Sequence, residues 1–292
     1  MTPHDPHRHR SLDVAARALL ALALVALVAA CSPVAPVEVQ VQDTALASLT
    51  QAIDDLAASD GVDLAPEDAG LAAAAADAPR TVVRRVDMAR TVEVVDVVVE
   101  PDAATVDAIL LVEGTAEIWQ VDPEAEPTRT LLGEKPIALS GAVRVDLERR
   151  GRVWLVTGVR RSPLEQGPDA ADLGPWAFAP ASPVAGWPVA VTLDVEAPNP
   201  DDRFVVRAHA RFLDGVGRLN DAGVGADAVA DDGTYSALGR VERFARAGVR
   251  LVFFSALNHT ATTDLSVDGD GAFLRPYTET ILPAWAFVRA AD

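Results

Sequence analysis

The sequence predicts two segments of different class, an α+β domain with helices laid on an antiparallel sheet and, after it, an all-β sandwich. Three observations predict this. Leu46, Leu49, Ile53 and Leu56 recur at spacings of three and four, which is helical. From Arg80 the apolar period changes to two, as in half-buried strands. From Val189 the two-residue period returns in short runs separated by turn residues, with no helical spacing between them.

Asp43 or Thr44 is placed to cap the first helix, and Gly61 to end it. Pro66, Glu67, Asp68 and the alanines to Ala76 suggest a second, weaker helix closed by Pro79. Ala104, Val106, Ala108, Leu110 and Val112 then alternate with mostly polar neighbours. Val143, Val145 and Leu147 alternate with Arg144, Asp146 and Glu148. Thr91 to Glu100 and Glu117 to Val121 are further strands, and residues 149–152 form a turn leading into Val153 to Val159.

Six prolines between residues 161 and 188 mark a linker region, yet Trp176, Phe178 and Trp187 also lie there. That much aromatic area is expected to dock on a neighbouring surface. Beyond it, Val189, Val191, Leu193 and Val195 form one amphipathic strand. Phe204, Val206, Ala208, Ala210 and Phe212 form another, opposite a side carrying Arg203, Arg207, His209 and Arg211.

Helices followed by strands, ending in the hairpin-like residues 144–159, resemble the NTF2-like and cystatin-like folds over residues 43–160. That resemblance implies a strongly curved sheet with helices nested in it. Leu213-Asp214-Gly215, followed by residues 225–237 (GADAVADDGTYSA), is similar to the DDG…GDAVAGDGxYxA signature of Ig-like domains in bacterial surface proteins, including choice-of-anchor X. Ala226 stands where that pattern has glycine. The resemblance implies an Ig-like β-sandwich over residues 188–292, acting as an accessory or adhesive module. The expected organisation is therefore residues 1–30 as a signal, 31–42 as a tether, 43–160 as the α+β domain, 161–187 as a linker and 188–292 as the sandwich.

The N-terminal residues carry an address. A polar, Arg- and His-containing start is followed by thirteen apolar residues, Ala18 to Ala30, directly before the only cysteine, Cys31. This is the layout of a secretory signal whose apolar region is too short to span a bilayer. Val28-Ala29-Ala30-Cys31 resembles the lipobox of bacterial lipoproteins, which implies lipidation of Cys31 and anchoring of the mature chain to a membrane. Ser32 in the next position looks like an outer-membrane sorting signal where the cell has two membranes. An ordinary signal peptide with a thiol near its cut is the competing reading.

Removing residues 1–30 takes three arginines and two aspartates from a chain of 25 basic and 43 acidic residues, leaving a net charge of −19. Such a charge repels phosphate backbones, so nucleic acid is not an expected partner. With no second cysteine there is no disulfide framework, and stability must come from apolar cores.

Three chemistries come into question from these residues. Asp214, Asp221, Asp227, Asp231 and Asp232 offer carboxylates for calcium, although Asp-Gly pairs also simply make turns. The loop from Asp264 to Gly271 fails EF-hand spacing, because Tyr277 falls where the bidentate Glu belongs. Between Thr81 and Arg160 there is no His or Tyr for acid–base work, and Trp119 and Trp154 read as core. His209 and His259 lie in neither an H-E-x-x-H helix nor beside a G-x-S-x-G elbow and read as surface residues. The sequence thus leads to the expectation of a non-enzymatic, lipid-anchored envelope protein that binds an envelope protein or polysaccharide, with no cofactor beyond calcium. A small-molecule carrier or enzyme with a pocket in the α+β domain is the alternative.

Overall fold

The structure, a computed structural model, describes residues 36–57, 63–65, 79–214, 217–223, 229–245 and 247–291. Two compact units are distinguished, residues 1–40 and 41–292, and both sheets described below belong to the second.

One helix longer than a turn is present among the described residues, α1 (Val37–Ala57). It starts directly after Pro36, whose carbonyl accepts from the Gln40 N–H at 3.1 Å. From Val41 onward its apolar stripe, Val41, Ala45 and Leu49, is buried in a core. The strands are β1 (Asp63–Leu64), β2 (Arg80–Val99), β3 (Ala103–Val121), β4 (Arg129–Arg150), β5 (Val153–Arg161), β6 (Leu164–Gln166), β7 (Asp172–Ala179) and β8 (Pro188–Glu196). They continue with β9 (Phe204–His209), β10 (Leu213–Asp214), β11 (Arg218–Leu219), β12 (Thr234–Val241) and β13 (Gly248–Asn258). A one-turn helix, α2 (His259–Thr263), precedes β14 (Glu279–Val288).

These strands make two antiparallel sheets. A ten-stranded sheet has the order β1-β2-β3-β4-β6-β14-β13-β9-β11, with β5 as a branch paired to β4. A four-stranded sheet has the order β10-β12-β8-β7. The fork arises because β4 offers one edge to two partners: Val143 to Arg150 pair with β5, and Ser140 pairs with Glu165 of β6. From β6 the large sheet passes directly to β14 and the C-terminal strands.

The described residues form two cores. The first is lined by the inward faces of β2 to β5, including Val106, Leu110, Val112, Val143, Val145, Leu147 and Trp154, together with α1 and with Val205, Phe253, Leu257, Tyr277 and Ile281. The second lies between the two sheets, with Val191 and Leu193 on one side and Val206, Phe254 and Ala256 on the other. Successive residues of β13 thus serve different cores, Phe253 the first and Phe254 the second, as period-2 alternation requires. Trp176 and Phe178, from the proline-containing stretch, pack into the second core edge to face at 5.7 Å, whereas Trp187 is 61% exposed.

The expected fold class, a helix-covered α+β domain followed by a separate Ig-like sandwich, is not what forms. The protein is mostly β, with two helices among the described residues. The second predicted helix, residues 66–78, lies outside the described residues. What was read as short strands is a set of very long ones, of 20, 19 and 22 residues in β2, β3 and β4. The curled sheet they form buries its own aliphatic face. The physical reason is register. Shifts fall between Val86 and Ala89, between Val94 and Asp96, between Ile118 and Trp119 and between Asp146 and Leu147. Each inserts a residue and flips the alternation, so one strand reads as two. Asp87, at the first bulge, adopts a left-handed φ of 56°. Nor is the C-terminal pair of sheets closed on itself, since β9, β13 and β14 belong to the ten-stranded sheet. Two sheets facing across a core remain compatible with a β-sandwich.

Candidate functional site

The curled sheet sets its two faces apart chemically. Its outer face carries cross-strand ion pairs. Arg144 reaches Asp107 with two bonds of 2.6 Å, and Arg160 reaches Asp146 at 2.9 and 3.0 Å. Its inner face is aliphatic in rows that cross the strands: Val97, Val106, Val145 and Val159 form one, and Val94, Ala108 and Val143 form the next. Val92, Val94, Val97, Val99, Val156 and Val159 are only half-buried although they pack on the first core.

That inner face is not wholly aliphatic: Arg90, paired with the buried Val112, shares it, and so does Arg161. Arg161 pairs with Val143 across β4 and β5 and therefore shares its inward direction, completing the row from Val94. Its Nε and Nη1 are buried and meet no hydrogen-bond partner among the described residues. Burial pushes its pKa down to about 10. Arg161 stands at the fork, immediately before Ser162, whose N–H donates to Ala142 O at 2.9 Å as the chain leaves β5 for β6.

Where β14 packs against β2, a buried polar group is fully paired. Arg85 donates from Nε to Tyr277 Oη at 3.1 Å and from Nη2 to Glu279, and the Tyr277 hydroxyl donates to the other Glu279 oxygen. All three side chains are buried. Burial opposes the Arg85 charge, but Glu279 and Tyr277 together more than offset it and raise its pKa. Burial likewise raises the pKa of Tyr277.

A second network fixes α2. Asn258 caps it by accepting from Ala261 N at 2.9 Å, and its amide donates to Asp202 at 2.7 Å and to Asp169 O at 3.0 Å. Arg275 bridges Asp169 and Asp202. Lys135, the only lysine, is buried with its ammonium donating to the carbonyls of Ala261, Asp264 and Arg275 at 3.0, 2.6 and 2.6 Å. Burial pushes its pKa down to about 8. All three donor positions are used, so this ammonium acts as a clamp between β4 and the α2 region.

Of the two histidines expected at the surface, His259 is buried and His209 half-buried. His259 is the first residue of α2, buried, with Nε2 donating to Thr81 O at 3.1 Å. Burial holds its pKa down at about 4. His209 is pushed down to about 3 by burial and by the nearby charges of Arg85 and Arg207. The sequence misplaced His209 because β9 lies between two cores, with Val206 and Ala208 in the second and Val205 in the first, and His259 because the expected turn is the capped first residue of α2. Of the two tryptophans read as core, Trp154 is buried in the first core. Trp119 is half-buried, with its ring N–H donating to Glu117 at 2.9 Å.

The five aspartates that offer carboxylates for calcium do not form one cluster among the described residues. Asp214 is exposed on β10, opposite Arg240. Asp221 accepts from Asp232 N at 3.3 Å and from Gly233 N at 2.9 Å, and Asp232 accepts from Thr234 N at 2.8 Å. These are turn-bracing bonds. Asp231 sits in the same turn with φ 58°, and Gly233 beside it has φ 87°. Asp227 lies outside the described residues, as does Cys31. Among the described residues no three His, Cys, Asp or Glu side chains come together as a metal site. Asp232 also lines a shallow cleft of about 450 Å³ with Asp172, Asp194 and Glu196, all carboxylates. No helix among the described residues is long and apolar enough to cross a membrane.

No protein-family model matches the chain, and no curated protein matches it with significance.

Proposed function

We propose that this is an exported, lipid-anchored envelope protein with a non-catalytic binding role. The observation that carries the reading is the run from Ala18 to Ala30 ending at Cys31, the only cysteine of the chain. Acyl chains on that residue would exceed the two-signal requirement for stable membrane anchoring. The mature body, with its net charge of −19, would then stand on the outer side of the membrane that anchors it.

The interior chemistry supports binding over catalysis. Glu279, Tyr277 and Arg85 satisfy one another, Lys135 spends its protons on carbonyls, and His209 and His259 are neutral at physiological pH. None of these groups is left holding a proton that a substrate could take or give.

The test is mass spectrometry of the protein purified from membranes, alongside the Cys31→Ser variant. The expected result is a mature chain beginning at a diacylated Cys31, and loss of membrane association in the variant. Residues 1–30 retained with an unmodified thiol would overturn the reading.

A further inference from the structure

We infer that Arg161 is the anion-binding residue of a ligand site on the inner face of the curled sheet, and that the ligand is an amphiphile with a carboxylate head and an aliphatic tail. The inference deepens the binding role proposed above by naming a ligand class, and it does not depend on the anchor.

Three observations carry it. First, a guanidinium is a five-donor cation that proteins bury with partners, yet Nε and Nη1 of Arg161 are buried with none among the described residues. Arg85 shows what this fold does when an arginine is structural, supplying Glu279 and Tyr277 to it. Second, Arg161 faces inward. Its cross-strand neighbour Val143 is 3% exposed in the first core, so the charge is aimed at an aliphatic surface and away from the Asp146–Arg160 ladder outside. Third, the aliphatic rows beside it are not sealed: Val94, Val97, Val156 and Val159 are half-buried.

A desolvated guanidinium binds a carboxylate with two parallel N–H···O bonds, a geometry that neither water nor an ammonium reproduces. A tail along Val94, Val97 and Val159 would remove apolar surface from water, which a small hydrophilic anion cannot do. The two demands together select a long-chain carboxylate over acetate, and over a neutral or cationic amphiphile of equal length.

Calorimetric titration of the full chain with dodecanoate tests this, with acetate, dodecanol and dodecyltrimethylammonium as comparison ligands, in the wild type, Arg161→Met and Arg161→Lys. The wild type is expected to bind dodecanoate in preference to all three. Arg161→Met should weaken dodecanoate at least tenfold and leave dodecanol unchanged, with Arg161→Lys recovering only part of the loss. Thermal unfolding supplies a second readout, because removing a guanidinium with two buried, unbonded N–H positions should raise the melting temperature of the ligand-free protein. Absence of dodecanoate binding, equal binding in Arg161→Met, or equal affinity for acetate would overturn the proposal. So would a lowered melting temperature in Arg161→Met, which would mark the guanidinium as structural. None of these outcomes bears on Cys31, so failure here and failure of the anchor are separable.

Discussion

Arg85 and Glu279 lie 194 positions apart in the chain and meet as a buried ion pair, with Tyr277 bonded to both. The pair joins β2 to β14 and so closes the first core from its two ends in sequence. Removing one partner would strand the other in a low-dielectric interior. Arg85→Met alone is expected to cost about 3–5 kcal/mol. The triple variant Arg85→Met, Tyr277→Phe, Glu279→Leu should lie within about 2 kcal/mol of wild type, because no orphaned group remains. Urea unfolding midpoints of the two variants decide between them.

His259 gives the stability a pH dependence of definite sign. Its folded pKa, about 4, lies below the ordinary 6.5. Between those values the unfolded chain binds more protons, so stability falls as pH falls from 6.5 towards 4. His209, held lower still by burial beside Arg85 and Arg207, acts in the same direction. The loss attributable to His259 is on the order of 3 kcal/mol. His259→Gln keeps a donor for Thr81 O and should flatten that slope in denaturant melts at stepped pH.

The fork in the sheet depends on Gly141. A Cβ there would lie 2.7 Å from Pro163 O and 2.7 Å from Leu164 Cδ2, at the point where the chain crosses from β5 to β6. The carbonyl belongs to backbone and cannot swing away. Gly141→Ala should therefore destabilise by about 1–3 kcal/mol, measured by chemical denaturation. Gly151, in an open turn with nothing near its Cβ position, has a left-handed φ and should show only that smaller conformational cost.

Asp221 braces the turn that carries Asp231 and Asp232. Asp221→Ala removes an acceptor for two backbone N–H groups and is expected to cost about 1 kcal/mol. A turn role predicts the same cost with and without millimolar calcium in thermal melts. A loss seen only with calcium would instead assign the loop to the ion.

Period-2 alternation located strand residues from Arg80 onward, and the inward set Ala104, Val106, Ala108, Leu110 and Val112 is on the inside of the curled sheet. What it could not convey was strand length, since each bulge reverses the phase. The start of α1 was hidden as well: Val37, Val39 and Val41 have modest helix propensity, and burial of Val41 overrides it. The candidate site was the least legible part. Arg161 follows Arg160 at the end of β5, and nothing in the local pattern separates the outward arginine from the inward one. A count from the inward Trp154 and Val156 to Arg161 crosses the bulge at Thr157, so separating them requires the register. The polar side of β9 was legible as a pattern and misleading as an environment, because a second layer covers it.

The position of β14 between β6 and β13 has a kinetic consequence. Every other strand of the large sheet precedes it, so the two halves of that sheet stay unjoined until the final strand arrives. Joining them closes loops of more than a hundred residues, a non-local step of the sort that slows folding. A polypeptide threaded through a membrane from its amino end would thus reach the far side before it could complete its largest sheet.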